Sequence, residues 1–219
     1  MTNPEALFSN EEKQLIADAV GAAESRTSGE IVPYVVGRSD EYPEALWRAG
    51  TLVCFLVLFV CGLLDVGTTL WLGFGIVETA FFAIAGFGAG MALAKVFPAL
   101  RMLFVSHRTA QQRVHERATL AFLTEEVFKT RERTGILLFL SLLERRVQVL
   151  GDSGINAKVD QSEWDGIVAM LIDGMKRSKP AEGMIRAIES CGKLLETHGV
   201  AIRSDDTDEL SNTVRFSAQ

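Results

Sequence analysis

The sequence predicts an α/β (α+β) domain: a small mixed sheet of about three to four strands flanked by helices, with a two-helix transmembrane hairpin inserted into it. Three observations carry this reading. Two long apolar runs, Ala49–Leu64 and Leu70–Ala94, stand in tandem near the middle of the chain. One β-type stretch precedes them, Glu30–Gly37, and two follow, Ile136–Leu143 and Arg146–Leu150. Four further segments outside the apolar runs carry helical periodicity.

The apolar runs set the plan. Taken as residues 46–64 and 70–94, they are about 19 and about 25 residues long, and a helix needs roughly 20 to cross a hydrocarbon core of about 30 Å. The joint Asp65-Val66-Gly67-Thr68-Thr69 is short enough only for a helical hairpin. A buried core hairpin of a soluble protein is the competing reading, and two such runs in tandem weigh against it. Removing residues 46–100 leaves about 165 of the 219 residues, enough for one compact domain and not two. The chain therefore divides into 1–45, the first part of the domain; 46–100, the hairpin; 101–202, the rest of the domain; and 203–219, a loose acidic tail without periodicity.

In order, Ser9-Asn10-Glu11-Glu12 has the spacing of a capping box and opens a helix whose apolar stripe is Leu15, Ile16, Ala19, Val20 and Ala23. Ser28-Gly29 breaks it before the first strand. Pro33 lacks an N–H, which points to an edge strand or a bulge. After Pro98, the basic connector Arg101–Arg113 is expected to place Arg101, His107, Arg108 and Arg113 at an anionic membrane surface. A helix over about 109–129 follows, with Val114, Ala118, Ala121, Phe122 and Val127 on one side. Ile136–Leu143 is an unbroken apolar run, as a fully buried strand requires. Glu144-Arg145 turns into Arg146–Leu150, and Gly151-Asp152-Ser153-Gly154 is a loop. Asp160 caps an amphipathic helix through Trp164, Ile167, Val168, Leu171, Ile172 and Met175. Pro180 opens the last helix, where its missing N–H is no loss, and His198-Gly199 ends it. The first strand cannot form a sheet alone, so it is expected to pair with the later two across the hairpin.

The net charge of −6 argues against nucleic acid as a partner. Cys54, Cys61 and Cys191 show neither metal-type spacing nor a disulfide framework and read as small packing residues. Residues 1–27 contain no apolar signal-peptide core, so the first span is expected to act as its own insertion signal. Arg38 and Arg48 precede the first span; Lys95, Arg101, Arg108, Arg113 and Arg117 follow the second, and the joint has no cation. The positive-inside rule then puts both termini in the cytoplasm and the joint outside. Glu78, about eight positions into the second span, is an intramembrane carboxylate; it reads either as functional or as a group near the outer interface. Gly86 and Gly90 form a GxxxG pair for close helix packing, between the two spans or in a dimer.

The segments Thr27-Ser28-Gly29-Glu30-Ile31-Val32, Arg133-Thr134-Gly135-Ile136-Leu137-Leu138-Phe139-Leu140-Ser141, Glu144-Arg145-Arg146-Val147 and Leu150-Gly151-Asp152-Ser153-Gly154-Ile155 resemble the TPM domain family. So does Gly183 to Leu195, with Ala187-Ile188 and Cys191-Gly192. The hairpin position resembles the family's bacterial predicted-membrane-protein branch. The resemblance implies a small mixed sheet flanked by helices, and the bacterial cytoplasmic (inner) membrane as location, multi-pass. It also implies a divided function, since some members are acid phosphatases, some bind divalent metal through acidic loops, and others are accessory proteins. Metal-binding members carry an Asp-Asn pair just before the glycine that opens the central strand. Here Arg133-Thr134 stands there, which weighs against a divalent metal and metal-dependent catalysis, and no cofactor is expected.

Two classes of function stay open. As a phosphatase, the chain offers Asp152, Glu144 and Glu30 as catalytic candidates and Arg133, Arg145 and Arg146 as phosphate-binding candidates. No His sits among them, since His107, His115 and His198 lie elsewhere, and no P-loop or nucleophile elbow appears. The preferred reading of Asp152 is a turn cap, and that of Glu144-Arg145-Arg146 a solvated turn. The preferred reading is a non-catalytic interaction or assembly module, with the lipid bilayer and a membrane protein partner or a homo-oligomer as its partners. A transporter or channel is a third option that needs oligomerisation.

Overall fold

The computed structural model describes residues 3–67, 75–200 and 210–217. Two units form, one from residues 1–40 with 111–219, the other from 41–110. In chain order the elements are α1 (Asn10–Glu24), β1 (Ile31–Val36), α2 (Pro43–Gly67), α3 (Ile76–Val96), α4 (Pro98–Met102), α5 (His107–Thr124), β2 (Ile136–Ser141), β3 (Arg146–Gly151), α6 (Ser153–Asn156), α7 (Gln161–Lys176), α8 (Pro180–Thr197) and β4 (Arg215–Ser217).

The first unit is built on a mixed sheet of order β3-β2-β1-β4. β1 and β2 pair in parallel from Ile31↔Ile136 to Val36↔Ser141, so the strand before the hairpin does join those after it. β3 is antiparallel to β2, from Ile136↔Gly151 to Ser141↔Arg146. Alternation along the strands divides the core. Ile31, Val35, Ile136, Leu138 and Leu140 face α1, α7 and α8, with Ile16, Val20, Ile167, Leu171, Met184, Ile188 and Leu195. Val32, Tyr34, Val36, Leu137 and Phe139 face α5, with Val114, Ala118 and Ala121. Both faces of β1 and β2 are covered, which is why these strands read as continuous apolar runs.

Two expectations change here. The tail 203–219 was expected to be loose, but Arg215–Ser217 forms β4, parallel to β1 in the register Tyr34↔Arg215 to Val36↔Ser217. A three-residue strand is too short to show periodicity, and it is specified by what it packs on. β4 also makes β1 an interior strand, against the edge strand that Pro33 suggested. The backbone explains the exception. Ile136 N–H donates to Glu30 O and Leu142 N–H to Val36 O, while Gly37 N–H donates to Ser217 O. Residues 31, 33, 35 and 37 therefore turn their N–H positions toward the β4 side. β4 begins opposite Tyr34, so Pro33 lies beyond its ladder and no bond is lost. Ile31 N–H on that side is met by the Glu24 carboxylate at 2.8 Å.

The helices follow their sequence signals. Ser9 and Glu12 complete the capping box of α1, and Ile16, Val20 and Ala23 are buried. Leu15, expected in the same stripe, is exposed, which narrows the stripe to one residue per turn. In α7, Glu163 reaches back to Asp160 N–H at 3.1 Å. α7 and α8 approach closely where Gly174 meets Gly183: a Cβ on either would lie within 2.8 Å of the other's Cα.

In the second unit, α2 has 25 residues and α3 has 21, about 38 and about 32 Å at 1.5 Å per residue. Both are long and apolar enough to cross a membrane, and most of their length is exposed. Gly90 packs where a Cβ would lie 2.7 Å from Ala49 O and 3.0 Å from Gly50 Cα, and a Cβ on Gly86 would lie 2.8 Å from Val57 Cγ2. The GxxxG face thus joins the two helices of one chain. Thr68 and Thr69 of the joint, and Leu70–Phe74 of the second run, lie outside the described residues. α3 starts at Ile76, so Glu78 is in its first turn. A carboxylate is favoured there by the helix dipole.

The connector also differs from expectation. Arg101, expected at a membrane surface, is only 4% exposed. Its guanidinium donates to Ala94 O at 3.2 Å, Lys95 O at 3.1 Å and Glu41 O at 2.9 Å. It caps the end of α3 and holds it to the residues that enter α2. α5 starts at His107 and ends at Thr124, before a 3-10 turn at Val127–Lys129, where one helix through Lys129 was expected.

Candidate functional site

The candidate residues separate to opposite ends of the sheet. The pairings Ile31↔Ile136 and Ile136↔Gly151 put Glu30, Arg133 and Asp152 at one end. The pairing Ser141↔Arg146 puts Glu144, Arg145 and Arg146 at the other. Strands of six residues hold the two groups roughly 17–20 Å apart. No single reacting centre reaches both.

At the first end, β3 finishes at Gly151 and Asp152 turns the chain into α6. The expected loop is therefore a one-turn helix with Asp152 as its N-cap: Asp152 Oδ1 accepts from Ser153 N–H at 2.6 Å. Its backbone N–H continues the ladder to Gly135 O at 2.8 Å. Arg133 Nε lies 2.8 Å from Asp152 Oδ2, with Asp152 4% and Arg133 53% exposed. Arg133 takes a left-handed backbone, φ +59°, an uncommon conformation for a residue with a side chain. Its guanidinium carbon lies 5.9 Å from the Phe128 ring centroid. Glu30 is buried beside this end, and its carbonyl bonds Ile136 N–H. Arg133 thus places its cation against the buried Asp152 carboxylate.

At the second end, Glu144 is buried in the turn between β2 and β3. Its Oε1 accepts from Ser39 N–H at 3.0 Å, and its Oε2 accepts from Ser141 Oγ. Ser39 Oγ and Ser141 Oγ lie 2.8 Å apart. These bonds tie the segment after β1 to the end of β2. Arg145 has φ +52°, as this tight turn demands. Arg146 lines a groove of about 360 Å³ along the β3 edge, together with Gln148, His115, Trp164 and Asp165. Gln148 Nε2 and His115 Nδ1 meet there at 2.5 Å. Ser39 and Ser141 were not among the sequence candidates. The available signal was a hydroxyl closing an apolar run with an acid three positions later.

Among the described residues, no three His, Cys, Asp or Glu side chains come together as a metal-holding set. Outside both ends, the Glu163 carboxylate lies 3.0 Å from His198 Nε2. That bond holds its pKa below the ordinary glutamate value, with the Asp160 N–H adding to the effect. Cys191 is fully buried, and burial pushes its thiol far above the ordinary range, so it is inert as a nucleophile.

Residues 99–194 match the family model described as TPM domain. Over those residues the chain is similar to the TPM domain family. The match starts after the hairpin, whereas the sheet also takes β1 from before it. The NMR structure of BA42 protein from the psychrophilic bacterium Bizionia argentinensis is similar, at 20% identity and a TM-score of 0.61, covering 99% of this chain and 100% of that one. It shares the fold. No curated protein matches the sequence.

Proposed function

We propose that the chain is a two-span integral membrane protein whose TPM domain is a non-catalytic interaction or assembly module for a membrane partner. The observation that carries the reading is the state of the candidate groups. They are divided between opposite ends of the sheet, and each acidic end is already engaged: Asp152 by Ser153 N–H and Arg133, Glu144 by Ser39 and Ser141. A reaction centre needs such groups converging on one reacting atom.

The membrane part rests on two apolar helices with exposed faces. The pairing of β1 with β2 supports an even number of crossings, with both flanks on one side. The cations flanking the hairpin support the cytoplasmic side and, with the bacterial branch resemblance, the inner membrane. The partners proposed are the bilayer and a membrane protein or a second copy, with no cofactor. A phosphatase acting at the Asp152 loop is the second reading. Arg133 beside Asp152 favours it, because a guanidinium can also hold a phosphate.

The test is hydrolysis of an aryl phosphate by the detergent-solubilised chain, with and without divalent ions, beside Asp152→Ala. No turnover under any condition is expected. Turnover that disappears in the variant overturns the module reading. Reporters fused after Thr68 and at Gln219 are expected to be active outside and inside, respectively; the reverse pattern overturns the orientation.

A further inference from the structure

The outer edge of β1 is closed by the chain's own tail, and the closure is incomplete. β4 covers only Tyr34–Val36 of the six-residue β1, and all three of its residues are partly exposed. Its side chains alternate between two built contacts. Phe216 meets Phe8 with ring centroids 6.3 Å apart, under the Lys13 ammonium at 5.1 Å. Arg215 and Ser217 point the other way, to α5. Arg215 Nε pairs with Glu125 Oε2 at 2.6 Å, and Arg117 Nη2 donates to Ser217 Oγ at 3.0 Å. Yet Arg117 Nε and Arg215 Nη1 are buried and find no acceptor among the described residues. A serine hydroxyl offers one acceptor point to a guanidinium fork that suits the two oxygens of a carboxylate. The tail is therefore a short and imperfectly matched occupant.

We propose that the outer edge of β1 is a strand-docking groove, held shut in cis by residues 214–217. It accepts in trans an extended segment, parallel to β1, with an aromatic residue at the Phe216 position and a carboxylate at the Ser217 position. Main-chain bonds such as Gly37 N–H to Ser217 O supply the common part of recognition. The aromatic contact and Arg117 supply the selective part. The inference rests on the assembly reading for its biological role and names the surface that would do the assembling.

The experiment uses the full chain in detergent and a variant lacking residues 210–219, each titrated with a fluorescent peptide of residues 210–219 and with its Ser217→Glu form. The truncated chain is expected to bind both, the Glu form about tenfold tighter, and the full chain at least tenfold more weakly than the truncated one. Arg117→Ala in the truncated chain removes the difference between peptides. A folded truncated chain that binds neither peptide overturns the proposal, as does a preference that survives Arg117→Ala. If truncation prevents folding, Ser217→Glu in the intact chain decides: the proposal requires a raised melting temperature and slower proteolytic release of the tail, and no change in either overturns it. Phosphate-ester turnover in the separate hydrolysis assay would remove the assembly reading and leave the binding result standing.

Discussion

Replacing Asp152 by alanine separates a structural carboxylate from a catalytic one. The side chain caps α6 through Ser153 N–H at 2.6 Å, and loss of an N-cap costs about 1 kcal/mol. Its second oxygen lies 2.8 Å from Arg133 Nε, but that arginine is 53% exposed. Solvent screening reduces the pair to about 0.5–1 kcal/mol. The expected loss is then about 1.5–2 kcal/mol. For a unit of roughly 150 residues, each kcal/mol shifts the midpoint by about 2–4 °C, so the Ala variant is expected to melt about 3–8 °C lower. Asp152→Asn keeps an oxygen for the cap and loses only the ion pair, so it should fall no more than about half as far. Thermal melts of the detergent-solubilised chain and both variants, at one pH and salt, measure this. An Ala variant that melts within 1 °C of the parent refutes the capping argument. If that variant had also lost a measurable turnover, Asp152 would be a reaction group.

Three further outcomes follow from the geometry. Gly90→Leu meets Ala49 O and Gly50 Cα at contact distance, so overpacking of about 1–3 kcal/mol should lower the yield and melting point of the hairpin. Gly88→Leu, with nothing within 4 Å, should leave both unchanged, and equal effects of the two would contradict the packing face. Arg101→Gln leaves the Ala94 and Lys95 carbonyls at the end of α3 without a guanidinium donor; a destabilisation of about 1–3 kcal/mol, read as a lower melting point, is expected, and a neutral result would show the cap to be dispensable. Glu163 has a lowered folded pKa, through His198 first and then Asp160 N–H. Its contribution is therefore complete above the ordinary glutamate pKa of about 4.3 and is lost as pH falls through the lowered folded value. Melting curves from pH 7 to pH 3 should show a steeper acid decline in the parent than in Glu163→Gln; parallel curves would count against the His198–Glu163 bond in solution.

Much of this was readable in the residues because periodicity and caps are local signals. Ile136–Ser141 announced a strand covered on both faces, and Ser9 with Glu12 announced the start of α1. What was not readable depended on distant partners. β4 has three residues and exists because β1 offers an edge beyond Pro33. Arg101 looks like any cation beside an apolar run, and only the return of Glu41 to the end of α3 makes it a buried cap. Asp152, Glu144 and Glu30 were offered together as candidates for one activity. The strand between Glu144 and Asp152 runs back along β2 and carries them to opposite ends.

The parallel pairing of β1 with β2 has a consequence for how the protein is made. The two strands are about a hundred residues apart in sequence, with both apolar helices between them. During synthesis β1 emerges early and waits without its partner, so the sheet cannot start to close until the hairpin has been completed and the chain has returned. High sequence separation of this kind slows folding. With the helices inserted as proposed, it also makes the fold a check on insertion. A chain in which only one helix crosses would leave β1 and β2 in different compartments, with apolar strands that can never meet. Such a chain could not close its sheet.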